Sequence, residues 1–451
     1  MPKANPKKFL TVVIDGVFFQ LNNTGIARVW HSLLETWIRS GFAQHLILLD
    51  RNNTAPKILG ITYRIVEPYD YRFTSLDSTR LQAICDEVQA DVFISTYYTT
   101  PLSTPTVFIA HDMVPEVIQL DLNELCWQEK HNGILQAAKY ITVSQNTARD
   151  LLHFFPHISP ELVTVAHCGV SESFKPSTEV EIYSFRTQYN IKKPYFLTVG
   201  SRLSLKNYKN AILLFKALAQ LPNCHDLAVV CVGGEPQLEP ELKAFCQEIE
   251  VHLLTLEDAD LKLAYSSAIA LVYPSKYEGF GLPIVEAMAC NCPVITCHNS
   301  SIPEVAGKAA LYVDEDDVEE AIKALETIQK PEIREQLIHL GSEQVKQFSW
   351  EKMADRVAQI LLETAVEYQD KPPTQAALIW QAFRKEQGYR QQESSLVETV
   401  NQLSKENQQL SQTIQQLEQE IAYLSTTKAA IRKLIKILLK KIGLSGLVGD
   451  R

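Results

Sequence analysis

Between residue 9 and about residue 370, short β-branched apolar runs alternate with stretches of helical period, and this alternation limits the fold more than any other feature of the chain. "FLTVVID", "HLILL", "DVFIST", "TVFIAHD" and "YITVS" read as strands in the first half. "YFLTVG", "LAVVCVGG", "AIALVYP" and "PVITC" read as strands in the second. Continuous apolar runs of this length mark strands covered on both faces, hence parallel sheets with helices between the strands. Two such series in tandem predict two doubly wound α/β domains. Strand signals lapse between about 170 and 193, which places an N-terminal domain over 1–180 and a second over 181–368.

Past residue 368 the pattern stops. "DKPPT" opens a stretch read as a linker, 369–391. Over 392–427 Leu396, Leu403, Leu410, Leu417 and Leu424 recur every seven residues, with Val400, Asn407, Ile414 and Ile421 at the alternate seam position. β-Branched residues at one seam position and Leu at the other favour a parallel two-stranded coiled coil, and an Asn in the seam specifies register. A homodimer is the expectation. A single amphipathic helix lying on the globular body is the plainer alternative.

The last segment, 428–451, is a basic amphipathic tail. Ile431, Leu434, Ile435, Leu438 and Ile442 share one helical face, and Lys428, Arg432, Lys436 and Lys440 follow each other at intervals of four. The formal charge of the chain is −10, yet this tail carries +6, leaving −16 on everything before it. A basic apolar helix joined to an acidic body suits an anionic membrane surface. No aromatic residue lies in the tail to stack on bases, so nucleic acid is not the expected partner. The apolar runs of the body are all broken well before the ~20 residues a membrane span needs. Nine scattered cysteines without a C-x-x-C pair read as reduced thiols. The expected location is cytoplasmic, peripheral at the inner membrane face.

Three segments place chemistry at strand ends. In "IDGVFFQLNNTGIARVW" a strand ends at Asp15 and a polar loop carries Gly25 into a helix, where free backbone amides favour an anion. Asp15 is either a ligand there or a cap for the Gly25 loop. In "YFLTVGSRLSLKNYKN" a strand ends at Gly200 and Arg202 and Lys206 follow, a fork and a point charge suited to a diphosphate, with a helix expected near Tyr208. In "PSKYEGFGLPIVEAMACNCPVIT" Glu278 lies in a loop and Glu286 in the first turn of a helix expected to start at Pro283. Gly279 and Gly281 between them let backbone approach a ligand. "DAD" at Asp258–Asp260 and "DED" at Asp314–Asp316 look like D-x-D metal motifs, but both fall outside these segments, so no metal site is expected.

This last stretch resembles the E-x7-E signature of the retaining nucleotide-sugar glycosyltransferases of family 4 (group 1). "TGIARVWHSLL", "TVFIAHDMVPE", "YITVSQNTARDLL", "VGSRLSLKN", "SSIPEVAGKAALYVD" and "FSWEKMADRVAQIL" follow in that family's order over about residues 9–368. The resemblance implies the GT-B fold: two Rossmann-like domains facing a cleft, the last helix crossing back to the first domain. It implies that Glu286 holds the ribose of the donor and that Glu278 meets the transferred sugar. The amides of Gly279, Phe280, Gly281 and Leu282 would bind sugar hydroxyls and phosphate oxygens. Arg202 and Lys206 would bind the diphosphate, Gly25 would approach it from the opposite domain, and His111, with Asp112 beside it, would reach the sugar. The Arg of "GSRLSLKN" stands two residues after the Gly, where many members have it one or five after.

The function expected from the resemblance is transfer of a sugar, with retention and without a cofactor or metal, to a glycan or lipid-linked acceptor. The donor would be GDP-mannose or a UDP-sugar. The competing reading is a non-catalytic GT-B scaffold carrying a coiled coil; a sugar phosphorylase is a third.

Overall fold

The sequence folds as two parallel sheets, with helices in most of the connections between strands. The computed structural model of the chain describes residues 10–22, 24–203, 205–369, 371 and 375–441. By its packing the chain divides into two units, Met1–Lys385 and Glu386–Arg451.

In the first unit, β1 (Val12–Asp15), β2 (Leu46–Arg51), β3 (Thr62–Val66), β4 (Val92–Ser95), β5 (Thr106–Ala110), β6 (Lys139–Thr142) and β7 (Val163–Val165) form one sheet in the order β3-β2-β1-β4-β5-β6-β7. Its companion holds β8 (Tyr195–Val199), β9 (Ala228–Val232), β10 (Glu250–Leu254), β11 (Ala270–Tyr273), β12 (Val294–Cys297) and β13 (Ala310–Val313), in the order β10-β9-β8-β11-β12-β13. Every pairing is parallel, as strands buried on both faces require. In each sheet the strand order reverses once, between β1 and β4 and between β8 and β11. The crevice beyond the carboxyl ends at such a reversal is where ligands enter open α/β sheets.

The cores explain the pattern. Val12, Val13 and Ile14 of β1 are wholly buried, as are Trp30 and Leu33 of the helix Gly25–Ser40. The helix Trp350–Tyr368, which follows the second sheet in sequence, packs back on the helix Gly25–Ser40, and the Trp37 indole donates to the Ala354 carbonyl at 3.0 Å. Lys139 of β6 pairs with Glu363 and Glu367 of the same returning helix.

A single helix, Gln375–Lys441, takes up most of the stretch read as a linker. Its early turns belong to the first unit and are held there by Arg384, whose buried guanidinium donates to Glu129 at 2.8 Å and to the Ser78 hydroxyl at 2.8 Å. In the second unit the helix leaves the heptad residues Leu403, Leu410, Leu417 and Leu424 more than half exposed along one stripe. Ile442 and the rest of the tail lie outside the described residues.

Candidate active site

The loop after β11 carries the paired glutamates. Gly281, at φ 98°, makes the left-handed turn that launches the helix Leu282–Ala289. That helix starts one residue before the expected Pro283, which puts Glu286 past the first turn. Its carboxylate is therefore not held by the helix dipole but by side chains. Oε1 takes the Arg28 guanidinium at 2.9 Å, and Oε2 accepts from the Tyr265 hydroxyl at 2.9 Å. Burial pushes the Glu286 pKa up and the Arg28 charge pulls against it, leaving a net rise. Arg28 also reaches Asp258 at 2.8 Å, so Asp258, which falls outside the three site segments of the sequence, stands beside Glu286.

Glu278 is 7% exposed and fully engaged. Its N–H donates to the Ser300 hydroxyl at 2.9 Å and its carbonyl accepts from the Ser301 hydroxyl at 2.9 Å. Its carboxylate accepts from Lys209 Nζ at 2.6 Å. Lys209 also donates to the Tyr273 hydroxyl at 3.1 Å and lies over the rings of Tyr208 and Tyr273. Burial lowers the Lys209 pKa, but the Glu278 charge and hydrogen bond together with the Tyr273 and Tyr208 hydroxyls outweigh it and hold the ammonium well above its ordinary value. Each acid of the pair thus has its own cation, and sequence reasoning missed both. The signals were there, since Lys209 follows Lys206 by three and Arg28 follows Gly25 by three, but neither spacing names a carboxylate partner.

Two strand ends of the first sheet meet this loop. His111 follows β5, and a β-carbon placed on Gly279 would stand 1.8 Å from the His111 carbonyl and 2.9 Å from Asp112 Cβ. Gly279 is required by this approach of two backbones. The His111 Nε2 is out of water with no partner, and burial pulls the imidazole down to about 4. Asp112 accepts from the Val114 N–H at 3.0 Å and so shapes the turn after His111. Gly25 abuts the same loop: a β-carbon there would meet Leu282 Cδ1 at 3.7 Å. Thr147 donates to the Gly279 carbonyl at 3.1 Å, and the Tyr277 hydroxyl donates to Asp150 at 2.6 Å.

The cations after β8 part company. Lys206 is exposed, and its ammonium crosses to the first sheet's side, donating to the carbonyls of Ile118 and Gln119 at 2.7 and 2.5 Å. Arg202 is 4% exposed and turned into the loop after β9. Its guanidinium donates to Glu239 at 3.1 Å and to the carbonyls of Gly233 and Glu235 at 3.2 and 2.5 Å. No regular helix starts at Tyr208; Leu205–Asn207 forms a short 3-10 turn and the helix follows at Ala211–Leu218. Asp15 does not cap the Gly25 helix. It is buried and accepts from Arg51 at 2.8 and 2.7 Å and from Thr99 at 2.6 Å.

The structure therefore brings Gly25, His111, Asp112, Glu278, Glu286 and the Gly279–Leu282 backbone to one place, while Lys206 rests on the Ile118 and Gln119 carbonyls. Among the described residues no group of His, Cys, Asp and Glu is arranged to hold a metal ion.

Known proteins resemble the chain over both sheets. Residues 180–344 match the family model described as glycosyl transferases group 1, and residues 23–174 match that of glycosyltransferase family 4. O-antigen chain mannosyltransferase B of Escherichia coli is 31% identical over 228 residues, covering 49% of this chain and 59% of that protein. O-antigen chain mannosyltransferase RfbU of Salmonella typhimurium is 27% identical over 240 residues, covering 52% and 64%. The chain thus spans about three fifths of the length of these relatives. Among solved structures, WaaG, a glycosyltransferase involved in lipopolysaccharide biosynthesis, superposes with a TM-score of 0.64 at 16% identity over 78% of this chain and 99% of its own. Anabaena HepE in complex with UDP and glucose gives 0.60 at 16% identity over 78% and 99%.

Proposed function

The chain belongs to the group 1 glycosyl transferases, with the GT-B fold, and from that premise we propose that it moves a sugar from a nucleotide diphosphate donor to a glycan or lipid-linked acceptor, with retention at the anomeric carbon. One observation carries the proposal: two buried carboxylates leave one strand end, Glu278 with Lys209 and Glu286 with Arg28, facing a neutral His111 whose Nε2 has no protein partner.

In this reading Glu286 accepts hydrogen bonds from the ribose hydroxyls. Glu278 accepts from hydroxyls of the sugar, and the amides of Gly279–Leu282 meet sugar and phosphate oxygens. His111 donates or accepts at the sugar from the opposite sheet without carrying charge. As the C1–O bond to the diphosphate breaks, the electron pair stays on the phosphate oxygen. Lys206, freed from two carbonyls, stabilises that charge, with the phosphate close to Gly25. The acceptor hydroxyl bonds to C1 on the same face, and its proton passes to the leaving phosphate. Arg202 supports this loop from beneath by binding Glu239. The names of the two O-antigen relatives favour GDP-mannose over a UDP-sugar.

The heptads support a parallel homodimer, and the basic tail supports peripheral attachment to an anionic cytoplasmic membrane face. No helix among the described residues is long and apolar enough to cross a membrane. Two tails on one dimer would act by avidity. Flotation on anionic liposomes with and without residues 428–451 tests this, and equal flotation rejects it.

Donor hydrolysis and transfer assays over GDP- and UDP-sugars test the activity. Turnover with one donor, lost in Glu278→Ala, is the expected result. No turnover with any donor would favour the non-catalytic scaffold.

A further inference from the structure

We infer that Arg28, a residue of the first sheet's domain, is a positioning residue of the donor ribose site, holding Glu286 as a carboxylate aimed at the ribose diol. The inference rests on the reading of Glu286 as the ribose ligand and adds to it a requirement that the nucleotide site be built from both halves of the cleft.

The geometry is specific. Arg28 stands one turn into the helix Gly25–Ser40, directly after the Gly25 loop. Nη1 reaches Glu286 at 2.9 Å and Nη2 reaches Asp258 at 2.8 Å, while the guanidinium carbon lies 5.5 Å from the centre of the Phe174 ring. The fork therefore spans three segments that diverge in sequence: the Glu286 helix, the start of the helix Asp258–Ser267 and the crossover between the sheets. Tyr265 fixes the other carboxylate oxygen from below. Each carboxylate oxygen carries two acceptor directions, so Glu286 keeps one on each oxygen for a pair of hydroxyls. Two neighbouring ribose hydroxyls fit that pattern, and a deoxyribose does not.

The chemistry supplies the need. Glu286 is buried, and burial favours its neutral form. A neutral carboxyl group would accept less strongly from the diol, since hydrogen bonds to an ionised acceptor are roughly twice as strong as neutral ones. The charged and titratable groups facing Glu286 are Arg28 from the Gly25 helix, Asp258 and Tyr265 from the Asp258 helix, and Cys290 at the end of its own helix. Of these only Arg28 favours the anion by charge; Asp258 opposes it. Removing Arg28 thus leaves a buried acid beside another acid, and the proton returns.

Calorimetric binding of GDP and UDP, each against its 2′,3′-dideoxy form, to the full chain tests this. The wild type should prefer the ribose form of whichever nucleotide binds. In Arg28→Met the preference should fall at least fivefold at pH 7 and recover as the pH is raised and Glu286 loses its proton. Arg28→Lys should keep most of it, and Glu286→Gln should lose it at every pH. An unchanged preference in Arg28→Met, or a loss that pH does not reverse while the melting temperature stays normal, overturns the inference alone. Failure of the wild type to bind either nucleotide overturns the proposed function with it. Should Arg28→Met not fold, loss of the preference in folded Arg28→Lys would count against the inference and its retention for it.

Discussion

The His111 carbonyl stands 1.8 Å from where a β-carbon on Gly279 would lie, so the end of β5 and the donor loop touch through bare backbone. One sheet's strand end is seated in the other's loop with no side chain between them. A methyl group cannot be absorbed there by a flexible neighbour, because the obstacle is a carbonyl.

Gly279→Ala is therefore expected to push the two strand ends apart. Overpacking of this kind costs about 1–3 kcal/mol or more. The measured outcome should be a lower melting temperature and at least a tenfold loss of donor turnover, with Glu278 and Glu286 still present. Wild-type turnover in Gly279→Ala would mean that the two strand ends do not work in contact.

Lys209→Met should be worse for stability than its half-exposed position suggests. It strands the Glu278 carboxylate, and breaking a buried ion pair from one side costs about 3 kcal/mol. Adding Glu278→Gln to Lys209→Met should restore most of the stability by removing the stranded charge, while activity stays lost. Chemical denaturation of the three variants checks the cycle.

His111 makes stability depend on acid. Its folded pKa lies near 4, below the ordinary 6.5, so the unfolded chain binds the proton first. Its contribution is complete above pH 6.5 and is lost as pH falls from there to 4, amounting to up to about 3 kcal/mol by linkage. His111→Gln should flatten that part of the stability–pH curve and reduce turnover. A curve as steep as the wild type's would place the acid sensitivity elsewhere.

The two cations after β8 should separate cleanly. Lys206→Met is expected to lower turnover at least a hundredfold with little change in melting temperature, because Lys206 is exposed. Arg202→Met leaves the Glu239 carboxylate unpaired beneath the loop, and should lower the melting temperature by several degrees. Equal thermal effects of the two substitutions would refute the division.

On the coiled coil, Leu403→Asp with Leu410→Asp should convert a dimer to a monomer in sedimentation without loss of donor hydrolysis. A wild-type monomer at micromolar concentration would reject the dimer.

Nine strands were legible as apolar runs. The four that were not, β3, β7, β10 and β13, are the four edges of the two sheets. An edge strand has a neighbour on one side only, and these show it: Thr62 and Ile65 of β3 are exposed, and all three residues of β7 and all five of β10 are half-buried. The sequences of β3, β7 and β10, "TYRIV", "VTV" and "EVHLL", mix polar with apolar residues and lack the run that marks a central strand. The same limit applies to the site. Glu278, Glu286 and their glycines lie within one loop and helix, so spacing could reveal them. Asp258 and Arg28 are 230 residues apart and meet only through the fold, which is why Asp258 fell outside the segments read as the site. Asp15 looked like a ligand because it ends a strand at the right edge, and only the Arg51 side chain, arriving from β2, shows that its charge is used internally.

Lys206 has φ 50°, and its ammonium already rests on two carbonyls, one belonging to Gln119 at φ 55°. An anion taking that ammonium must displace both, so the affinity gained is a difference between two bonded states and not the full strength of a phosphate contact. Departure is eased by the same exchange, because the carbonyls wait to receive the lysine back. Under the proposed function, a spent nucleotide would leave such a site quickly, favouring rapid turnover over tight capture.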